Sequence, residues 1–264
     1  MKLNPRNSFL LGYQFVMFIF WLGIQMSSIT DLKINLMWGM AINFIPLFGG
    51  LFGLYTAGQW GGIRSSVGKG IIFLSFGNLS WSAGNFIWSY YNFFLSSDIP
   101  YPSLADLGYV GALPLWIAGI LLLSKATGVR FGLRKIKGRI MLVLLPIIAA
   151  IFSYYFLFVV ARESSIDWQE GMLKLFFDLA YPIGDWIILT VAFLVWGLSL
   201  NYLGGRYKWP VLITLFGFVL MFCADFSFSY TTTIETYFNG SLSDLLFTMA
   251  LFTIGFGISS LDSN

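Results

Sequence analysis

The stretch PSLADLGYVGALPLWIAGILLL, residues 102–123, carries one charged side chain, Asp106, at the head of an apolar run. A helix needs about 20 mostly apolar residues to cross the hydrocarbon core of a membrane, and this run is long enough. A carboxylate is costly inside lipid but is tolerated where a helix begins at a surface. The stretch therefore predicts a membrane-spanning helix with an acid in its first turn.

The composition of the whole chain is typical of a membrane protein. Of the 264 residues, 58% are hydrophobic and 10% are charged, whereas a soluble domain has about a quarter charged residues. One cysteine and no histidine exclude a disulfide framework, zinc sites of cysteine and histidine, haem bound through histidine, and nucleophiles activated by histidine. We expect no cofactor, no metal site and no catalytic residues.

Eight stretches are long and apolar enough to span a membrane, and little chain is left for a folded domain outside it. The predicted spans are 8–27, 35–57, 70–92, 103–124, 139–161, 182–200, 209–230 and 242–260. The sequence thus predicts an all-α, polytopic integral membrane helical bundle of about eight transmembrane helices, with residues 1–264 as a single transmembrane domain.

The charged residues predict the orientation of this bundle. With the N-terminus in the cytoplasm, 12 of the 15 lysines and arginines lie in inner segments, and only Lys33, Arg162 and Lys174 lie outside. Of the 12 acids, only Asp262 lies inside. We expect both termini in the cytoplasm, an acidic outer face, and a multi-pass protein of a prokaryotic cell membrane.

The basic segment SKATGVRFGLRKIKGR, residues 124–139, follows the fourth span on the inner side. Its first interpretation is a topology anchor that contacts anionic lipid headgroups; the alternative is a docking surface for a cytoplasmic protein partner. No nucleic-acid partner is expected.

Two later stretches are similar to the opening one and suggest an internal repeat. YPIGDWIILTVAFLVWGL begins at Tyr181 and GSLSDLLFTMALFTIGFG at Gly240. Further back, FGNLSWSAGN (76–85) is similar to FGFVLMFCAD (216–225). Because the copies enter the membrane from the same side, they predict parallel hairpin repeats. These cover about 70–124 and 209–260, with a partial copy over 139–200.

Three acids of these stretches fit helix starts on the outer side. The spacing Ser-x-x-Asp before Asp106 and before Asp244 fits a capping box, in which the serine and the acid bind the free backbone groups of the first turn. Asp185 follows Pro182, a residue favoured in the first turn of a helix. Capping is the first interpretation of these acids, and ligand binding is the second.

Asp225 does not fit a helix start. It lies about 24 Å along a span that begins near Trp209, at 1.5 Å per residue, and an intramembrane carboxylate normally faces a polar interior. Its counterpart in the repeat is Asn85, which belongs to a polar row on one helix face. The row consists of Ser75, Asn78, Ser82, Asn85 and Ser89. Two interpretations stay open: hydrogen bonds between helices, or the wall of a cavity.

The favoured functional hypothesis is a shared, outward-facing polar pocket for a small-molecule ligand. Its candidate binding residues are Asn85, Asp106, Asp185, Asp225 and Asp244. Aromatic residues at the same level fit either an interfacial belt or the wall of such a pocket.

Charged residues also follow the fifth span on the outer side. They are Arg162, Glu163, Asp167, Glu170, Lys174 and Asp178. They suggest an amphipathic segment over the bundle, either a lid or a surface helix.

The segment PSLADLGYVGALPL resembles PS-x-AD-x-x-Y-x-x-x-x-PL, found in multi-span N-terminal regions of bacterial diguanylate cyclases and histidine kinases. The matching positions are Pro102, Ser103, Ala105, Asp106, Tyr109, Pro114 and Leu115. YPIGD at 181–185 resembles a second segment of these regions. The resemblance implies a membrane-embedded sensor region. Since no cyclase or kinase domain follows, signalling would require a separate membrane or cytoplasmic protein partner.

Two other classes stay open beside the sensor. A small-solute or cation- or proton-coupled transporter would use the repeat and Asp225, although no charged residue is predicted at mid-membrane. A structural subunit of a membrane complex would pack its aromatic faces against partner helices. A membrane enzyme is disfavoured, because no helix face carries a D-x-x-x-D or E-x-x-x-E pair.

Overall fold

The computed structural model describes residues 4–26, 32–95, 99–164, 171–199, 202 and 204–262, without the side chains of Leu32 and Arg206. Within these residues the chain forms helices and no strands. The helices are α1 (Pro5–Met26), α2 (Leu32–Ile42), α3 (Phe44–Gln59), α4 (Ser66–Phe94), α5 (Leu104–Ser124), α6 (Val129–Leu133), α7 (Ile136–Ser153), α8 (Met172–Ser199), α9 (Lys208–Thr233) and α10 (Leu242–Ser259). A π-helical segment, Tyr154–Val160, continues α7.

Seven segments of the described chain are long and apolar enough to cross a membrane, with α2 and α3 together forming one of them. The predicted all-α, multi-pass membrane bundle is confirmed. The remaining predicted span, 70–92, lies in α4, which has 29 residues and is long enough but less apolar. Its polar row lowers its hydropathy, and its place beside α3, α5 and α10 explains why that is tolerated.

One predicted boundary is wrong. The sixth span was expected to begin at 182, but α8 begins at Met172, ten residues earlier. Pro182 therefore lies inside the helix rather than in its first turn.

The two ends of the described chain meet at one end of the bundle. Arg6 forms an ion pair with Asp262 at 2.8 Å, and the Asn4 side chain donates to the carbonyl of Ser259 at 3.1 Å. We call this end the termini face. The opposite end, which contains a cavity, is called the pocket face. An even number of crossings agrees with this placement. That the termini face lies in the cytoplasm stays a prediction from charge.

The core lies between α4, α5, α9 and α10. Trp116 and Phe218 are fully buried there, and the Trp116 ring lies 5.5 Å from the rings of both Trp81 and Phe218. The indole N–H of Trp116 donates to Asn78 Oδ1 at 3.1 Å. A buried polar group in a membrane needs such an internal partner, so this bond joins α4 to α5.

Small residues allow α4 to pack tightly on α5, and α9 on α10. A Cβ atom at Gly77 would collide with the Trp116 ring, and one at Gly217 would collide with Ile254. Gly217 and Ile254 are the counterparts of Gly77 and Trp116 in the predicted repeat, 140 and 138 residues further along.

A second contact follows the same correspondence. A Cβ atom at Gly119 would collide with Leu74, and one at Gly257 would collide with Thr214. The repeat stays a proposal, and these equivalent contacts support it.

Gly77→Ala is expected to destabilise the bundle by about 1–3 kcal/mol, because the added methyl group overpacks the contact with Trp116. Unfolding of the purified protein in detergent measures the change. Gly12→Ala in α1 is the control, since a Cβ atom there meets nothing within 4 Å, and it should leave stability unchanged or raise it. Equal stability of G77A and wild type would contradict the packing.

Candidate functional site

A cavity of about 640 Å³ lies at the pocket face. Its lining comes from α2, α4, α5, α8, α9 and α10, with contributions from the segments that join them. All five predicted binding residues line it: Asn85, Asp106, Asp185, Asp225 and Asp244. The structure therefore brings together side chains that lie up to 159 positions apart in the sequence, in a volume within the usual range of ligand pockets, about 300–1,000 Å³.

Asp106 caps α5 as the sequence predicts. Its Oδ2 atom accepts from the backbone N–H of Ser103 at 2.7 Å, and the Ser103 hydroxyl oxygen accepts from the backbone N–H of Ala105 at 3.2 Å. Its Oδ1 atom accepts from the Tyr181 hydroxyl of α8 at 2.7 Å. The capping acid thus also joins α5 to α8 at the cavity.

Asp244 fulfils only half of the predicted capping box. Its Oδ2 atom accepts from the backbone N–H of Gly240 at 2.7 Å, but the Ser241 side chain makes no capping bond. The second oxygen, Oδ1, accepts from the hydroxyl of Tyr237 at 3.0 Å. The acid therefore bridges the start of α10 and the loop before it.

Asp185 does not cap a helix, contrary to the sequence prediction. It lies 13 residues into α8, about 20 Å from its first residue and near the middle of the helix. It is 4% exposed, and its carboxyl group is hydrogen-bonded to that of Asp225 on α9. Asp185 lies inside the helix because α8 begins ten residues earlier than predicted.

A hydrogen bond between two carboxyl groups requires a proton, since two carboxylates so close repel each other. The Asp185–Asp225 pair therefore holds at least one proton. Neither acid has another hydrogen bond or an ion pair to a side chain within the described ranges.

The polar row of α4 contains both side chains that bond to neighbouring helices and side chains that line the cavity. Ser75, Asn78 and Ser82 are fully buried between helices; Ser82, for example, donates to the carbonyl of Asn43 at 3.1 Å. Asn85 and Ser89, nearer the pocket face, line the cavity. The row is therefore packed between helices in the part of α4 nearer the termini face and lines the cavity in the part nearer the pocket face.

Asn43, which separates α2 from α3, holds the part of the row nearer the pocket face in place. Its side-chain amide donates to the hydroxyl of Ser89 at 2.7 Å and to the carbonyl of Asn85 at 3.2 Å. No sequence motif singles out Asn43. The one feature of the sequence that points to Asn43 is that a polar residue lies within the predicted span 35–57.

A third tyrosine–carboxylate contact lies at the cavity mouth, where Tyr101 donates to Asp178 Oδ1 at 2.9 Å. Burial, and then the Asp178 carboxylate, raises the pKa of Tyr101. Burial and the Asp244 carboxylate likewise raise the pKa of Tyr237 well above its usual value. Both hydroxyl groups therefore stay protonated at neutral pH and act as donors.

Arg162, beyond the π-helical segment, also lies at the mouth. It pairs with Asp178 at 3.1 Å, and it donates to the Asp178 carbonyl as well. Lys174 of α8 lines the cavity too. Of the other charged residues predicted in this region, Glu163 is exposed, and Asp167 and Glu170 lie outside the described residues. The lid and surface-helix interpretations stay predictions.

Five aromatic side chains form one side of the cavity, which we call the aromatic wall: Tyr109, Trp81, Phe247, Phe228 and Tyr237. Successive ring centroids in this order lie 4.7, 5.5, 6.1 and 4.8 Å apart. They come from four helices and one loop, so no local sequence pattern predicts their contact.

The cavity offers carboxyl, hydroxyl and aromatic groups for binding. Among the described residues, no group of three or more acids and cysteines is arranged to hold a metal ion. These groups can interact with a molecule through hydrogen bonds, charge and aromatic contact.

No protein family, curated protein or solved structure is significantly similar to the chain. The resemblance to sensor regions of diguanylate cyclases and histidine kinases therefore stays a prediction.

Asp225→Ala is expected to destabilise the protein by about 1–3 kcal/mol, because it leaves the buried Asp185 carboxyl group without its partner. Asp225→Asn is the matched control, since its amide N–H can replace the shared proton as donor. Unfolding in detergent compares the two. If D225A and D225N are equally stable, the carboxyl pair does not support the contact of α8 with α9.

Proposed function

We propose that this protein binds a small organic molecule in the pocket-face cavity, which is entered from the outer side of a cell membrane. One observation carries the proposal. The five polar residues that the sequence predicts as binding residues lie on five different helices, between positions 85 and 244, and all of them line one cavity of about 640 Å³. Polar groups are costly in a membrane bundle, and here they gather in one place that a ligand can fill.

A sensor is the favoured role for such a site. The resemblance of residues 102–115 to sensor regions supports it, and Asp106 within that segment contacts the cavity. The basic segment 124–139 follows α5 at the other end of the bundle, where a cytoplasmic partner would receive the signal.

A transporter is the second candidate, and the Asp185–Asp225 pair favours it. Asp185 lies near the middle of α8, and transporters commonly hold coupling ions or protons near the membrane midplane. A transporter must expose its site to both sides in turn, whereas a sensor needs access from one side only.

Cysteine accessibility tests the proposed entry. In a Cys223→Ser background, which removes the only native cysteine, Asn85→Cys should react with a membrane-impermeant methanethiosulfonate reagent added on the outer side. Ser75→Cys is the control, because Ser75 lies about 15 Å further down α4 and is fully buried. It should not react.

The side of access separates the two candidates. The same reagent, confined to the termini face in inverted vesicles, should leave N85C unmodified if the protein is a sensor. Reaction from both sides would favour the transporter. If N85C reacts from neither side, the outward-facing pocket is refuted. Asn92→Cys, at a second cavity position nearer the mouth, is the control that shows whether the result is specific to the N85C variant.

A further inference from the structure

We infer that the ligand of this cavity is an organic cation, in which an ammonium group is attached to an apolar or aromatic body. This inference rests on the proposed function and names the chemical class of the ligand. Three features of the lining carry it: the balance of charge, the position of the carboxyl pair, and the aromatic wall.

Acidic side chains outnumber basic ones in the described lining. Five carboxyl groups line the cavity, against two basic side chains, Arg162 and Lys174. Both basic residues lie towards the mouth: Arg162 pairs with Asp178 there, and Lys174 lies in the first turn of α8. A cleft lined by one sign of charge concentrates ligands of the opposite sign.

The acids differ in how their charge is balanced. Asp106 and Asp244 each accept from a tyrosine hydroxyl and a backbone N–H, and Asp178 binds Arg162. Asp185 and Asp225 have each other as partner and, among the described residues, no tyrosine, backbone N–H or basic side chain. The pair lies about 16 Å deeper along α8 than Lys174.

A buried carboxyl group gives up its proton readily only where a cation can compensate the charge. Asp185 is 4% exposed, yet it lines the cavity, so a cation in the cavity can reach the pair. An anionic ligand would be disfavoured beside two carboxyl groups, and a neutral ligand would not stabilise a carboxylate there. An ammonium group supplies both the positive charge and N–H or C–H groups for the two carboxyl groups.

The aromatic wall suits the rest of such a ligand. Aromatic faces attract cations and bury apolar surface. Phe228 follows Asp225 by three residues, so the two side chains share one face of α9. A molecule bound at the carboxyl pair therefore contacts the wall.

Charge-selective labelling of N85C tests the inference. In the C223S background, cationic trimethylammonium-ethyl methanethiosulfonate should modify N85C faster than anionic sulfonatoethyl methanethiosulfonate. After division by the rates with free cysteine, we expect a preference of about 10-fold or more. Equal rates, or a faster anionic reaction, would overturn the inference while leaving the proposed pocket intact; no reaction with either reagent would refute the pocket itself.

Neutral variants locate the source of the preference. The double variant D185N/D225N keeps hydrogen-bonding groups at both positions and should lose most of it. Glu235→Gln removes a charge from an exposed position of the α9–α10 loop outside the cavity and should retain it. If D185N/D225N retains the preference, the carboxyl pair is not the cation site.

Protection by a small ligand tests the aromatic wall. Phenyltrimethylammonium should slow the labelling of N85C, and benzenesulfonate should not. Phe228→Leu should weaken this protection by between about 2-fold and about 30-fold. Phe226→Leu is the matched control on α9, because Phe226 packs against Phe156 and does not line the cavity. Equal protection in both variants would refute the role of the wall.

The ammonium group can come from a soluble amine or from an ethanolamine lipid headgroup, and vesicle composition separates the two. If the headgroup occupies the cavity, N85C should react more slowly in vesicles of phosphatidylethanolamine and phosphatidylglycerol than in phosphatidylglycerol alone. If the ligand is a soluble amine, the two rates should be equal, and phenyltrimethylammonium should slow both.

Discussion

The hydrogen bond between the carboxyl groups of Asp185 and Asp225 joins two helices in the interior of the bundle. Lipid offers no hydrogen-bond partner, so each acid has to find one within the protein. This requirement turns the polar faces of α8 and α9 towards each other and towards the cavity. The apolar faces are left outside, as in α7, whose spanning segment Ile136–Val160 is mostly exposed.

The same requirement has two solutions along α4. In the part of α4 nearer the termini face, Gly77 lets α5 approach closely enough for Trp116 to donate to Asn78, and the two helices pack without a gap between Gly77 and Trp116. Nearer the pocket face, Asn43 follows the last residue of α2, and its side chain donates to the Asn85 carbonyl and the Ser89 hydroxyl of α4. There the neighbouring helices stand apart, and the Asn85 side chain faces the cavity.

Local patterns predicted some features of the site and missed others. The capping bonds of Asp106 were predictable because they lie within three residues of chain. Asp185 was predicted at a helix start because the charged residues Lys174 and Asp178 before it resemble a loop. In the structure these two residues belong to α8 and line the cavity, so the helix begins earlier. The contacts of Tyr181 and Tyr237 with acids had no local signal, since each depends on how a neighbouring element is placed.

The sequence by itself determined that the chain is an all-α bundle with several membrane spans, and it selected the polar residues that lipid would not tolerate. Hydropathy and helical spacing are properties of consecutive residues, so they can be read directly. Only the tertiary structure decided that Asp185 meets Asp225 and that five aromatic rings form one wall. These contacts depend on the rotation and spacing of helices far apart in the sequence, which no single segment encodes.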